Sequence, residues 1–180
     1  MCRSIVCAAA LCVLAVGFTV ADEKKSDKAA PTGITIELKA FKLTPGFEGA
    51  SADLIGYMEE QERLYFYING SAEATAKVPT DGDYNVVVRA AGDPAMNERA
   101  KFKLSIDGKL VGQETTLTTD DPKDYSFTAT LKAGERKVKI EYTNDVYKES
   151  EYDRNFYLHG VKLTPAAKKD ETKDKAKDKK

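Results

Sequence analysis

Apolar and polar residues alternate with a period of two in segment after segment between Gly33 and Pro165. This period places successive side chains on opposite faces of a half-buried β-strand. The pattern predicts strands at 34–39, 64–68, 72–78, 84–90, 102–106, 125–131, 138–142 and 156–163, with a further short one from Leu110 into a Thr-rich run. Only the segment 45–62 has room for a helical turn. The count is therefore eight or nine strands.

Turn-forming dipeptides separate these segments at regular intervals. They are Asn69-Gly70, Asp81-Gly82, Asp107-Gly108 and Ala133-Gly134. Asn-Gly is typical of a two-residue hairpin, so we expect the strands on either side of Asn69 to pair directly. Many short strands with regular turns predict an all-β domain over residues 33–165, a β-sandwich or jelly roll of antiparallel strands.

The N-terminus has the features of a secretory signal at residues 1–21. Arg3 precedes an uncharged apolar run, Ser4–Val20, and small residues end it at Ala21. We expect cleavage there, a short charged linker at 22–32, and a mature protein that is periplasmic or extracellular without a membrane span. An uncleaved membrane anchor is the alternative, although the run is short for a spanning helix.

The amino-acid composition excludes some kinds of site and partner. All three cysteines lie within the predicted signal, so the mature chain has neither disulfides nor thiolate sites. The C-terminal stretch 166–180 has seven Lys against four acidic residues and no large apolar residue, which predicts a disordered tail. Such a tail either adheres to an anionic surface or is simply solvated. The whole chain has a net charge of −1, so without the tail (+3) and Arg3 (+1) the domain carries about −5. This negative charge argues against nucleic acid as a partner.

No catalytic motif is present. The sequence has no phosphate-binding glycine loop, no nucleophile elbow and no H-E-x-x-H zinc motif. Its single histidine, His159, lies in the last predicted strand, where a packed structural role is the usual one. Carboxylates are plentiful, so a glycosidase-type pair stays open as an alternative.

One loop between two predicted strands concentrates oxygen-bearing side chains. It carries Asn144, Asp145, Glu149, Asp153 and Asn155. Calcium takes six to eight such oxygens, mixing carboxylates with main-chain carbonyls. Because a folded-back loop brings its two ends together, Asp145 and Asp153 are candidates to share one ion. A solvated acidic loop is the competing interpretation.

Two stretches resemble a known family. The T-N-D at 143–145, followed by D-R-N-F-Y-L-H-G-V at 153–161, resembles the signature of the calcium-dependent xylan-binding carbohydrate-binding modules. The strand G-D-Y-N-V-V-V-R-A at 82–90 is similar to a strand of the same family. The resemblance implies a jelly-roll fold and a calcium ion that bridges the protein to vicinal sugar hydroxyls.

The resemblance also implies roles for individual residues. Asp145 and Asp153 would supply carboxylates to the ion, and Tyr152 its main-chain carbonyl. The chain has no tryptophan to stack on a sugar, which leaves Tyr147 and Tyr152 as substitutes. Arg154 would donate hydrogen bonds to sugar hydroxyls or else pair with a carboxylate of the loop.

Asn155 is the other candidate donor to the sugar. Together these residues predict a secreted, non-catalytic module that binds xylan or a related β-glycan through Ca²⁺. One alternative is a calcium-stabilised structural or adhesion domain without sugar binding. A small glycan-active enzyme is the third interpretation.

Overall fold

The computed structural model describes residues 33–167, so the predicted signal and linker and nearly all of the Lys-rich tail lie outside it. The described residues form fourteen strands, named in chain order: β1 (Ile34–Ile36), β2 (Lys42–Pro45), β3 (Ile55–Met58), β4 (Arg63–Phe66), β5 (Gly70–Val78), β6 (Gly82–Asp93), β7 (Lys101–Ile106), β8 (Lys109–Leu110), β9 (Thr115–Thr116), β10 (Lys123–Leu131), β11 (Gly134–Tyr142), β12 (Tyr147–Lys148), β13 (Tyr152–Asp153) and β14 (Asn155–Pro165). None of the described helices is long and apolar enough to cross a membrane.

Two six-stranded sheets make up the body of the domain. The first has the order β10-β6-β14-β4-β3, with β1 also paired to β14, and the second has the order β2-β5-β11-β7-β8, with β9 also paired to β7. Strands β12 and β13 form a small hairpin of their own. Every pairing is antiparallel. The predicted all-β sandwich of jelly-roll type is confirmed.

The segment before β4 is more structured than the periodic pattern suggested. Strands β2 and β3 were not predicted, because each has only four residues and too few alternations to stand out. The expected helical turn within 45–62 is present as two 3-10 turns, Ala52–Leu54 and Glu59–Gln61. A third 3-10 turn, Leu38–Ala40, ends the first predicted strand early.

The prediction of a hairpin at Asn69-Gly70 was wrong. Strand β4 belongs to the first sheet and β5 to the second, so the chain crosses between sheets at this point. A type I′ turn needs positive φ at both central residues, and neither Asn69 nor Gly70 is among the residues with positive φ. A Cβ on Gly70 would lie 3.0 Å from the carbonyl oxygen of Thr44, so glycine here permits close packing of β5 on β2. By contrast, Asp107-Gly108 does join the β7–β8 hairpin, with φ of 50° and 76°.

An aromatic cluster fills the core at one end of the sandwich. Phe156 of β14 lies 5.8 Å from Phe66 in its own sheet, and 5.5 Å and 5.6 Å from Phe102 and Tyr142 of the second sheet, measured between ring centroids. All four side chains are essentially inaccessible to solvent. Since Tyr142 ends β11 and Phe156 lies near the start of β14, the cluster anchors both ends of the loop between these strands.

Candidate functional site

The loop 143–154 joins β11 to β14 and folds back on itself. Within it β12 pairs with β13, so that Tyr147 lies opposite Asp153 and Lys148 opposite Tyr152. The hairpin therefore returns the chain to the base of the loop, close to where it left the sheet. The expectation that the loop folds back on itself is met.

Asp145 lies at the base of this loop with part of its carboxyl group unsatisfied. Its Oδ1 atom is buried and has no hydrogen-bond partner among the described residues. Burial, and then the nearby charge of Asp153, raises the pKa of Asp145 to about 6. Its main-chain N–H donates to Oδ1 of Asn69 over 2.7 Å, which fixes the start of the loop against the crossover between the sheets. A bound cation would favour the ionised carboxylate of Asp145 and so offset the cost of its charge in this buried position.

Asp153 is held in place by a small polar network on the outer face of the first sheet. Nδ2 of Asn155 donates to Oδ2 of Asp153 over 3.1 Å and to Oδ2 of Asp93 over 3.3 Å. The hydroxyl of Tyr157 donates to the same Asp93 oxygen over 2.5 Å. Asn155 is buried, and its Oδ1 atom also lacks a partner. The base of the loop thus holds two buried oxygens that accept no hydrogen bond.

Arg154 is buried beneath the loop rather than presented on it. Its guanidinium donates to the carbonyl oxygens of Asn144 (2.6 Å), Ala95 (2.7 Å) and Glu98 (3.2 Å). The side chain is 5% exposed, and its ion pair is with the carboxylate of Glu98, at 3.5 Å, rather than with Glu149 or Asp153. It ties the loop to the turn that follows β6.

The two tyrosines of the hairpin differ in exposure. Tyr147 is 62% exposed, whereas Tyr152 is half-buried. Tyr147 borders a cleft of about 410 Å³ that also includes Asp153. The residues that line this cleft are Leu54, Tyr67, Ile68, Tyr147 and Asp153.

Sequence reasoning missed one residue that shapes the site and assigned other roles to two more. Asp93 was unnoticed because only the β6–β14 register places it beside Asn155. Asn69 was read as a turn residue, yet its side chain caps the loop at Asp145. Asn144 was grouped with the oxygen ligands, but its Oδ1 accepts from the N–H of Lys101 and its Nδ2 donates to the carbonyl of Arg99. It clamps the loop to the segment before β7.

The donor set fits a hard cation. Over residues 33–167 no three His, Cys, Asp or Glu side chains converge as a metal centre. The base of the loop instead offers two neighbouring carboxylates, Asp145 and Asp153, and the unpartnered amide oxygen of Asn155. Such an all-oxygen mixture is what Ca²⁺ prefers, and the unpartnered Oδ1 of Asp145 is free to accept it.

Comparison with known families matches the region that contains this loop. The model of the family described as Ca-dependent, xylan-binding carbohydrate-binding modules (CBM60) matches residues 85–177, slightly more than half of the chain. The matched range includes most of β6, all of β14 and the whole loop. No curated protein gives a significant match.

Solved structures with the same fold are carbohydrate-binding modules as well. A family 35 module from Clostridium thermocellum superposes with a TM-score of 0.52 at 14% identity, covering 76% of this chain and all of the module. A CBM36 module in complex with calcium and xylotriose gives a TM-score of 0.51 at 17% identity, covering 74% of this chain and all of the module. The GH26-CBM35 β-(1,4)-mannanase from Podospora anserina gives 0.52 at 15% identity, covering 76% of this chain but 28% of the enzyme.

At these identities the structural matches establish the fold, and the family model establishes the family. The matched families are non-catalytic binding domains, and the mannanase shows that such a domain can be joined to an enzyme. The chain belongs to the family of Ca-dependent, xylan-binding carbohydrate-binding modules.

Proposed function

We propose that this protein is a secreted module that binds a β-linked polysaccharide of the xylan type through a calcium ion held at the base of the loop 143–154. Asp145 and Asp153 supply carboxylates and Tyr152 its main-chain carbonyl. The observation that carries the proposal is the buried Oδ1 of Asp145, which has no partner although its carboxyl group lies near a second one. A folded protein rarely leaves such an atom unsatisfied without a use for it.

The ion, when bound, offers coordination positions that two adjacent sugar hydroxyls can take in place of water. The protein's own residues prepare the site for it. Asn155 fixes Asp153 by a hydrogen bond from its amide, and Asn69 fixes the main chain at Asp145. Recognition then depends on the geometry of the diol more than on one particular sugar.

The other predicted residues take different parts in this proposal. Tyr147, exposed at the rim of the cleft, offers a ring face to the sugar in place of tryptophan. Arg154 acts as a positioning residue, because its guanidinium is committed to three carbonyl oxygens below the loop. The buried, unpartnered Oδ1 of Asn155 is a further oxygen for the ion, and its Nδ2 holds Asp153.

Xylan is the proposed glycan because the matched family is described as xylan-binding and one similar structure contains xylotriose. The absence of tryptophan supports a second candidate, a calcium-stabilised structural or adhesion domain that has lost sugar binding. The two candidates share the ion and differ only in whether a glycan completes its coordination.

Calorimetry with calcium and xylo-oligosaccharides separates these candidates. We expect the protein to bind xylotriose in calcium, to lose this binding in a chelator, and to regain it when calcium is restored. Asp153→Asn should weaken calcium affinity at least about tenfold, because a charged ligand becomes a neutral one. Glu135→Gln, an equivalent change at the exposed start of β11, is the matched control.

Calcium binding without affinity for xylan, mannan or β-glucan fragments would favour the structural domain. Release of shortened oligosaccharides would instead indicate an enzyme and contradict the proposal.

A further inference from the structure

Three basic side chains lie together on the outer face of the first sheet, at a β-bulge in β14. The register between β14 and β6 shifts so that His159 is the extra residue of the bulge, beside the pair formed by Gly160 and Arg89. On the other side of β14 the pairing with β4 ends at Leu64, and Arg63 is the next residue along. Each of the three has a core residue next to it in its strand, so its own side chain points away from the core. Since β14 lies between β4 and β6, the bulge sets His159 between two arginines.

Arg63 differs from the other arginines of residues 33–167 in having no acidic partner. The other four form the ion pairs Arg89–Asp124, Arg99–Asp120, Arg136–Asp107 and Arg154–Glu98. The guanidinium of Arg63 instead stacks on the ring of Tyr157, 3.7 Å from its centroid, and Nη2 lies 4.0 Å from the sulfur of Met58. Its Nε atom is buried without an acceptor among the described residues. The charge of Arg63 is therefore not neutralised by these residues.

His159 also has an unused nitrogen. Its Nε2 atom is buried and has no hydrogen-bond partner within residues 33–167. Burial, and then the charges of Arg63 and Arg89, lower the pKa of the imidazole from its ordinary value. The side chain borders a surface cleft of about 570 Å³. The other titratable groups around it are Tyr157 on the same strand and, along the cleft, Glu37, Lys39, Tyr57 and Glu62.

An oxyanion is the ligand that fits these groups. A planar guanidinium binds a carboxylate through two parallel hydrogen bonds, and the stack on Tyr157 holds the plane of Arg63 in one orientation. The imidazole of His159 adds a third donor. Arg89 adds positive charge, although its exposed ion pair with Asp124 offsets part of it. A bound carboxylate would supply the acceptor that the nitrogens of Arg63 and His159 lack.

The tyrosines on the same face favour a sugar as the carrier of the carboxylate. Tyr65 is two residues along β4 from Arg63, so both side chains lie on one face. A Cβ on Gly56 would lie 2.5 Å from the hydroxyl of Tyr65 and 2.7 Å from its Cζ, so glycine here lets the ring lie over β3. The ring of Tyr67 packs beside it with centroids 4.8 Å apart. Such rings suit the C–H face of a pyranose, which is apolar and flat.

We propose that the outer face of the first sheet is a second binding site, which takes the carboxylate of an acidic sugar on Arg63, His159 and Arg89 and the C–H face of that sugar on Tyr65. His159 is four residues along β14 from Asn155, and the site uses none of the carboxylates of the calcium loop. The inference therefore goes beyond the proposed function, and this site binds its ligand with calcium absent.

NMR of the imidazole of His159 tests the site directly, because the chain has one histidine. The full chain is titrated in a chelator at pH 6 with glucuronate, and separately with xylose, acetate and inorganic phosphate at the same ionic strength. We expect glucuronate to shift the imidazole signals saturably and to raise the pKa of His159, because a bound carboxylate favours the protonated form. Xylose should leave both unchanged, and acetate and phosphate should bind at least about tenfold more weakly than glucuronate, since neither offers a ring face to Tyr65.

Arg63→Gln should weaken glucuronate binding, measured by calorimetry, at least about tenfold, because the two charge-assisted hydrogen bonds of the guanidinium are lost. Arg136→Gln is the matched control, since it removes the same charge at the turn end, where Arg136 pairs with Asp107. It should bind glucuronate like the unmodified protein. Arg63 forms no ion pair among the described residues, so the fold should survive its change, and thermal unfolding of both variants checks this.

Imidazole signals that do not respond to glucuronate in the unmodified protein would overturn the proposal, whatever the variants do. Equal losses in Arg63→Gln and Arg136→Gln would overturn it as well. Acetate or phosphate bound as tightly as glucuronate would overturn the acidic sugar as the ligand. A response that requires calcium would place the ligand at the loop and overturn a separate site. Calcium-dependent binding of xylotriose is measured independently, so failure here leaves the proposed function standing.

Discussion

The two ends of the sandwich use aspartate in opposite ways. At the end with the tight turns, Asp81 accepts from the N–H of Ala133 over 2.8 Å and from Nζ of Lys132 over 2.9 Å, and these partners lower its pKa. Asp107 likewise accepts from the N–H of Lys137 and from the guanidinium of Arg136. At the loop end, by contrast, Asp145 keeps a buried oxygen without a partner and a raised pKa.

The difference teaches how to separate structural from functional carboxylates. A carboxylate with donors on both oxygens stabilises the fold and has little left to offer a ligand. A carboxylate that is buried, short of donors and close to a second acid disfavours its own charge until a cation arrives. Three changes, taken from the largest expected effect to the smallest, test whether the two ends differ in this way.

Arg154→Met should have the largest effect on stability. It removes the guanidinium that satisfies the carbonyl oxygens of Asn144, Ala95 and Glu98 while keeping an aliphatic chain in its place. The change removes three charge-assisted hydrogen bonds and leaves the carbonyl of Asn144 without a donor, while the carbonyls of Ala95 and Glu98 keep each other's N–H. Together these losses should lower the free energy of unfolding by about 3 kcal/mol. Urea unfolding in a chelator measures this change.

The control for this change is Arg89→Met. Arg89 is about half exposed and forms a surface ion pair with Asp124 over 3.0 Å. Its loss should alter stability by no more than about 0.5 kcal/mol. Equal effects of the two substitutions would show that Arg154 is no more important to the loop than a surface arginine.

Asp107→Ala tests the turn end and should have an intermediate effect. The change removes acceptors for the N–H of Lys137 and for Arg136, and places alanine at a φ of 50° that it adopts poorly. We expect a loss of about 1–2 kcal/mol with or without calcium, and no change in calcium affinity. Altered calcium affinity would show that the two ends are not independent.

The body of the sandwich was predictable from the sequence because its strands are long and regular. In β5, for example, apolar residues occupy alternate positions from Ala72 to Val78, and this pattern predicts which side chains are buried. Short strands and crossovers were not predictable in this way. Asn69-Gly70 is a sequence typical of a hairpin turn. The pairing of β4 and β5 with strands distant in sequence is what places them in different sheets.

The candidate site was predictable only where its residues are adjacent in sequence. Asp145 and Asp153 could be proposed together from the sequence because both lie in one loop. Asp93 and Asn69 reach the same place from distant strands, and a single sequence does not reveal the register that brings them there. For Arg154, no local pattern shows whether a guanidinium points outward to solvent or inward to carbonyl oxygens.

Asp145→Asn should have the smallest effect on stability. The effect is also the most specific of the three, because its sign depends on pH and on calcium. In the folded protein the pKa of Asp145 is raised from its ordinary 3.8 to about 6, so folding favours the protonated carboxyl group. The stability that this proton supplies is fully present below pH 3.8 and is lost as the pH rises through 6. Asparagine stays neutral and avoids that loss.

In a chelator at pH 7.5 the variant should therefore be more stable than the unmodified protein, by on the order of 1 kcal/mol after allowance for solvent screening, and the gain should vanish below about pH 4. Saturating calcium at pH 7.5 should reverse the order, because the ion stabilises only the protein that binds it well. Thermal unfolding at both pH values, with and without calcium, measures all four cases. A variant less stable than the unmodified protein in the chelator at pH 7.5 would show that Asp145, like Asp107, belongs to the structural carboxylates.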